Sequence, residues 1–277
     1  MTTQHALDRH LTLLNLPKDE TARINAAQHE LNMLLRKSFD PNGNVQVGGS
    51  FSRGTSIRPL NDVDLLLVIS LQKEPHLMSL SPKDVIHRYA SELGGILGAP
   101  LTIQNRSLSF RWKEIKFDLV PSMQEGNTDV LRLADLGRNR WLRTSPARHK
   151  KRCQEANQRC DNQLLPIIRG VKAWRRHVGK PLKSFYLEAM LWELMKEKPN
   201  TWAEGLQLAF SRRAVRVPGG FSDPTGLGAR VDEGVTDAEK QRAVQLLRQA
   251  AAGALALSAS ADPERAIVEL LGPIPGR

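Results

Sequence analysis

The stretch Asp-Val-Asp-Leu-Leu-Leu-Val-Ile-Ser at 62–70 constrains the chain more than any other part of it. Its branched and leucine-rich content, bounded by Pro59 and Asn61 before and Gln72 after, predicts a buried strand. Side chains at i and i+2 of a strand share a face, so Asp62 and Asp64 point the same way. Two such carboxylates repel unless a cation lies between them. Mg2+ takes oxygen ligands and keeps waters and substrate phosphates in its shell, so the pair implies a metal.

A second strand is expected over 115–120, stopped by Pro121, and Asp118 within it supplies a third carboxylate. Three carboxylates suit a two-metal site, in which one ion activates a hydroxyl and the other steadies a triphosphate leaving group. About a dozen residues upstream of the pair, Gly48, Gly49 and Ser50 form a turn. Glycines let backbone amides approach phosphate oxygens, a helix N-terminus behind them adds its positive end, and Ser50 adds a hydroxyl. The competing reading makes Asp62 and Asp64 solvated residues at a strand end. It leaves Asp118, between Phe117 and Leu119, without a reason. The residues thus point to metal-assisted nucleotidyl transfer.

The pattern Gly49-Ser50, Arg53-Gly54-Thr55, Asp62/Asp64 and a lone Asp118 resembles the DNA polymerase beta-like nucleotidyltransferases, and within them the cGAS/DncV-like nucleotidyltransferases (CD-NTases) of bacterial CBASS antiviral signalling. The resemblance runs through most of the chain. Residues 164–177 look like the family's spine helix, which implies that Lys172 reaches the donor triphosphate. Residues 183–191 are similar to the segment whose serine contacts phosphate and whose aromatic neighbour stacks on a base, here Ser184 and Phe185. Residues 221–231 resemble the family's Asp-Pro-Thr segment, without the asparagine that often follows it. Each has a plainer reading: a solvated lysine, a helix N-cap for Ser184, a core phenylalanine.

The resemblance implies an α+β, two-lobed polymerase beta-like fold, with a mixed-sheet catalytic core at 1–145 that includes the N-terminal helices and a helical lobe at 146–277. Asp62, Asp64 and Asp118 would be the catalytic and metal-binding residues, holding two Mg2+ ions, or Mn2+ in their place. Gly49, Ser50, Lys172, Ser184 and Phe185 would bind nucleotide. The implied substrates are ATP or other NTPs, and the implied product is a cyclic di- or trinucleotide second messenger that acts on a companion effector in anti-phage defence. The alternative is a template-independent enzyme adding nucleotides to an RNA, DNA or protein acceptor.

Composition agrees. The 277 residues, 40% hydrophobic, suffice for a core, and a net charge of +11 implies an anionic partner. Much of the excess lies at 137–152, with Arg138, Arg140, Arg143, Arg148, Lys150, Lys151 and Arg152. Such a run could bind nucleic acid, which the reading permits without requiring, or line a nucleotide cleft, or simply form a solvated face. Trp141 alone interrupts it, so a stacking platform for single strands is not expected. Cys153 and Cys160 share a predicted helix whose rigidity disfavours a disulfide, and they match no zinc spacing. No apolar run approaches the roughly 20 residues that span a bilayer, so no membrane partner and a cytoplasmic location are expected.

Helical spacing predicts helices at 5–15, 20–37 and 82–97, and strands at 45–48, 62–70, 101–111 and 115–120. Ser145 before Pro146 should cap a helix that breaks near Pro166. Thr201 and Thr236 fit capping boxes, Asp262-Pro263 starts a last helix, and 217–235 is a glycine-rich loop.

Overall fold

In a computed structural model describing residues 2–38, 44–98 and 100–275, the chain divides into two compact units. One comprises Pro17–Arg53 and Leu60–His149, the other Met1–Leu16, Gly54–Pro59 and Lys150–Arg277. The first helix, α1 (Thr3–Leu13), packs on helices of the second unit and belongs there. The division at 145 expected from sequence therefore differs from the observed grouping in three places: the N-terminal stretch with α1, the short segment 54–59, and the boundary itself, which falls after His149.

The sheet unit runs α2 (Lys18–Ser38), β1 (Asn44–Val47), α3 (Gly49–Ser52), β2 (Val63–Ser70), α4 (Pro82–Leu97), β3 (Thr102–Ile103), β4 (Leu108–Trp112), β5 (Ile115–Gln124), β6 (Leu131–Asp135) and β7 (Arg140–Thr144). Strand order is β1-β2-β5-β4-β3, with β6 also on β5 and β7 on β6. β2 and β5 are parallel and every other pair is antiparallel, so the sheet is mixed, as expected. Val63, Leu65 and Leu67 are buried on one face of β2, alternating with Asp64 and Leu66 on the other. α4 presents Val85, Ile86, Tyr89 and Leu93 at helical spacing and lies against β3, β5 and β6.

Three details depart from the sequence reading. The strand expected over 101–111 is a hairpin, β3 and β4, because Gln104 N–H bonds the Ser107 carbonyl at 2.8 Å across a turn. The β6–β7 hairpin was not expected at all. Its strands lie inside and beside the basic run, and its turn is marked only by Gly137 and by Asn139 at φ +45°. The helix at Pro146 does break, but it does not run as far as Pro166 before doing so.

Instead α5 (Pro146–Arg159) ends before Cys160, and Asp161 and Asn162, both at positive φ, turn the chain into α6 (Leu164–His177). Pro166 then falls in the first turn of α6, where its missing N–H leaves no hydrogen bond unmade. The helical unit continues with α7 (Ser184–Leu194), α8 (Trp202–Arg216), α9 (Asp237–Ala256) and α10 (Pro263–Leu271). Thr236 and Glu239 form a complete capping box. Thr201 caps α8, but the Glu204 carboxylate accepts from Asn200 N–H, so that box is half made. Ser145 Oγ accepts from Arg148 N–H, and both cysteines are buried and form no disulfide. No helix among the described residues is long and apolar enough to cross a membrane.

His10 of α1 is buried, its Nε2 lacks a hydrogen-bond partner, and burial lowers its pKa to about 4 from 6.5. Between those values the unfolded chain binds the proton and the folded chain does not, so stability is full above pH 6.5 and falls as pH drops. Chemical denaturation of wild type at pH 6.5 and pH 4 should show a loss to which His10 contributes up to about 3 kcal/mol. His10→Leu should lack that part of the slope.

Candidate active site

Parallel pairing of β2 with β5 sets Asp64 directly opposite Asp118, and Asp62 lies one residue before β2 on the same face. Asp118 is only 9% exposed. Its Oδ1 is buried without a hydrogen-bond partner, although Lys116 Nζ stands 4.0 Å away. The same Nζ is 3.9 Å from Asp62 Oδ2. Burial, and after it the negative charge of Asp118, raise the Asp62 pKa above the ordinary carboxylate value, and Lys116 opposes them. Asp62 and Asp118 thus share one lysine at about 4 Å. Sequence reading missed Lys116. Its place two residues before Asp118, on the same strand face, was the available signal.

The glycine turn is joined to this strand. Gly48 N–H donates to the Asp64 carbonyl at 2.8 Å, and α3 starts at Gly49, whose φ is +57°. A Cβ on Gly49 would overlap the Asp64 carboxylate, with Cγ only 2.5 Å away. Glycine is therefore required twice, for its backbone angle and for the space Asp64 fills. Ser50 follows in the single turn of α3, half-buried.

These residues fit a divalent cation. The donors are all carboxylate oxygens, which hard cations prefer, and one buried oxygen has no hydrogen-bond donor. Among the described residues no group of three or more acidic, histidine or cysteine side chains is already drawn together as a metal site, and Asp64 rests against Gly49. An open set of this kind suits Mg2+, which keeps waters and substrate oxygens in its shell.

In the helical unit, Lys172 is 8% exposed, so the solvated-lysine reading does not hold. Its Nζ donates to the Thr55 carbonyl at 2.8 Å and Thr55 Oγ1 at 3.3 Å, and pairs with Glu188 Oε2 at 3.1 Å. Glu188, 1% exposed, was not singled out from sequence, where it sits in an apolar helical run. Ser184 is the first residue of α7 and Lys183 is its N-cap, so the capping reading of Ser184 does not hold either. Ser184 and Glu188 are one turn apart on the same side of α7. Phe185 is half-buried, its ring edge-on to Trp192 at 5.7 Å between centroids. Asp223 Oδ1 accepts from Thr225 N–H and Oγ1–H at 2.7 and 2.6 Å, closing the Asp-Pro-Thr turn on itself.

Much of the basic run is committed locally. Arg143 donates to Glu125 at 2.9 Å and Arg148 to Asp129 at 2.7 Å. Arg138 and Arg140 lie 3.9 and 3.6 Å from the buried Asp135 carboxylate, which Arg106 approaches at 3.4 Å. The hydrogen bond from Arg148 holds Asp129 below its ordinary carboxylate value.

Two substitutions probe this geometry. Gly49→Ala should push Asp64 off its position and weaken Mn2+ binding to the carboxylate set by about tenfold, while circular dichroism still shows a folded chain. Glu188→Ala should strand a buried lysine and cost about 3–5 kcal/mol in urea denaturation. The double variant Lys172→Met/Glu188→Leu should regain most of that stability.

Comparison with known proteins agrees with the fold and the motifs. The Second Messenger Oligonucleotide or Dinucleotide Synthetase domain matches residues 1–157. A cyclic AMP-AMP-AMP synthase of Acinetobacter sp. is 27% identical over 208 residues, 69% of this chain and 58% of that protein. The chain thus spans less than two thirds of the length of that relative. E. coli MS115-1 CdnC superposes with a TM-score of 0.79 in its complex with HORMA-deltaN, at 19% identity over 98% of this chain and 97% of that one. Its structure with ATP gives 0.77, at 18% identity over 98% of both chains. Vibrio cholerae DncV cyclic AMP-GMP synthase, with the linear intermediate 5' pppA(3',5')pG, gives 0.67 at 13% identity, over 100% of this chain and 82% of that one. At these identities the superpositions establish the fold, while the domain match covers more than half of the sequence: the chain belongs to the Second Messenger Oligonucleotide or Dinucleotide Synthetase family.

Proposed function

We propose that this chain joins NTPs with release of pyrophosphate and closes the product into a cyclic di- or trinucleotide. The observation that carries the proposal is the in-register pair Asp64 and Asp118, with Asp62 beside it and a buried carboxylate oxygen unpartnered. Membership of the family supports it, as does similarity to a relative described as a cyclic AMP-AMP-AMP synthase.

Asp62, Asp64 and Asp118 would hold two Mg2+ ions, or Mn2+. When bound, these cations supply Lewis acidity to the phosphates and make a ribose hydroxyl easier to deprotonate. Asp118 Oδ1, buried and without a hydrogen-bond donor, takes the proton of the attacking hydroxyl. The new bond joins that oxygen to the α-phosphorus, and the bond from the α-phosphorus to the bridging oxygen breaks to expel pyrophosphate. Backbone amides of the Gly49 turn and the Ser50 hydroxyl bind phosphate oxygens.

Lys172, held by Thr55 and Glu188 within the helical unit, would supply positive charge to the triphosphate. The Ser184 hydroxyl at the start of α7 adds a hydrogen bond, and Phe185 offers a ring for base stacking. A second round closes the ring, and the product acts on a companion effector in the cytoplasm during phage infection.

Purified chain incubated with Mg2+ and the four labelled NTPs, then treated with phosphatase and resolved by chromatography and mass spectrometry, tests the proposal. A discrete phosphatase-resistant cyclic species, absent from Asp62→Ala/Asp64→Ala, is expected. A ladder of linear products would point to open-ended polymerisation instead, and incorporation that survives in the double variant would overturn the proposal.

A further inference from the structure

Residues 54–59 group with the helical unit, although the residues on either side, Arg53 and Leu60, group with the sheet unit. This short segment is the whole of the chain between the turn bearing Ser50 and the strand entry bearing Asp62, apart from three residues before it and two after it. It is not held by a sheet ladder. Its carbonyls are instead taken by a row of cations on α6.

Arg169 Nη1 donates to the Gly54 carbonyl at 2.9 Å and Lys172 Nζ to that of Thr55 at 2.8 Å. Arg176 spans two more, Nη1 to Arg58 at 2.9 Å and Nη2 to Pro59 at 3.2 Å. Positions 169, 172 and 176 recur at i, i+3 and i+7, one stripe of a helix, so a single face of α6 meets four carbonyls of a six-residue segment. Between those anchors Ile57 is buried in the core of the helical unit, and Arg58 N–H donates to the Leu14 carbonyl at 3.0 Å. Carbonyls with no backbone partner need donors, and three cations on one helix supply them with directional, charge-assisted bonds. The bidentate grip of Arg176 also fixes orientation, which a lysine's point charge does not.

We infer that Arg169 and Arg176 are positioning residues for nucleotidyl transfer, holding segment 54–59 so that Ser50 and Asp62 keep their places at its two ends. This rests on the function proposed above. Neither arginine touches the reacting atoms in this account. Loss of either lets the connection shift, which the carboxylate set registers first as weaker cation binding and then as slower chemistry.

The test uses the full chain and Mn2+ as probe, with free Mn2+ read by electron paramagnetic resonance in the absence of nucleotide, alongside steady-state turnover of ATP. Arg176→Met should weaken Mn2+ binding and lower kcat by about tenfold each, with KM for ATP within about twofold of wild type. Arg176→Lys, able to reach one carbonyl, should fall between the two. Arg169→Met, which gives up a single carbonyl bond where Arg176 makes two, should show the same signs more weakly and serves if Arg176→Met is poorly folded. Folded variants with wild-type Mn2+ affinity and kcat would overturn the inference alone. A wild-type chain with neither Mn2+ binding sensitive to Asp62→Ala nor NTP turnover would overturn the functional reading and this inference with it.

Discussion

The parallel pairing of β2 with β5 is the constraint on which the rest of the site depends. It places Asp64 against Asp118 in the same rung, with Asp62 two residues back, and so puts three carboxylates on one sheet face. Such a rung is unfavourable unless positive charge comes to it. Lys116 supplies part of that charge at about 4 Å from two of the three. The opposite face of the strand is closed by Val63, Leu65 and Leu67, so a slip of one residue in register would expose that apolar set and bury the acids. Core packing and site geometry are thus fixed by the same register.

The high positive charge of the chain is spent differently from what the basic run suggested. Arg143 and Arg148 pair with Glu125 and Asp129 of the turn between β5 and β6, and Asp135 gathers three guanidinium groups. On α6 the cations meet backbone carbonyls and one buried glutamate. Charge in this protein is largely structural, ordering loops that have no ladder of their own.

What was legible in the sequence was local and periodic. The run at 62–70 announced β2, the residues around Asp118 announced β5, and the spacing of apolar residues announced α4 over 82–97. The Gly-Gly-Ser turn, a short helix and a return to the strand also lie where the spacing implied. What was hidden depends on distant partners. Hairpin β6–β7 is stabilised by cross-strand pairs and ion pairs that a basic composition conceals. Helix α5 ends at a left-handed Asp-Asn pair rather than at the proline, because a proline in a first turn is harmless. Glu188 looks like one polar residue in an apolar helix until Lys172, sixteen residues earlier, is seen beside it. Segment 54–59 shows no periodicity at all, and only its hydrogen bonds to α6 reveal its allegiance.

The central claim is that Asp62, Asp64 and Asp118 together hold the cations that nucleotidyl transfer needs. Anomalous diffraction from crystals grown with Mn2+ and a non-hydrolysable ATP analogue tests it most directly. Anomalous peaks are expected within about 2 Å of carboxylate oxygens from all three residues. Mn2+ bound to the triphosphate but away from these carboxylates, or ordered nucleotide with no peak beside them, would contradict it.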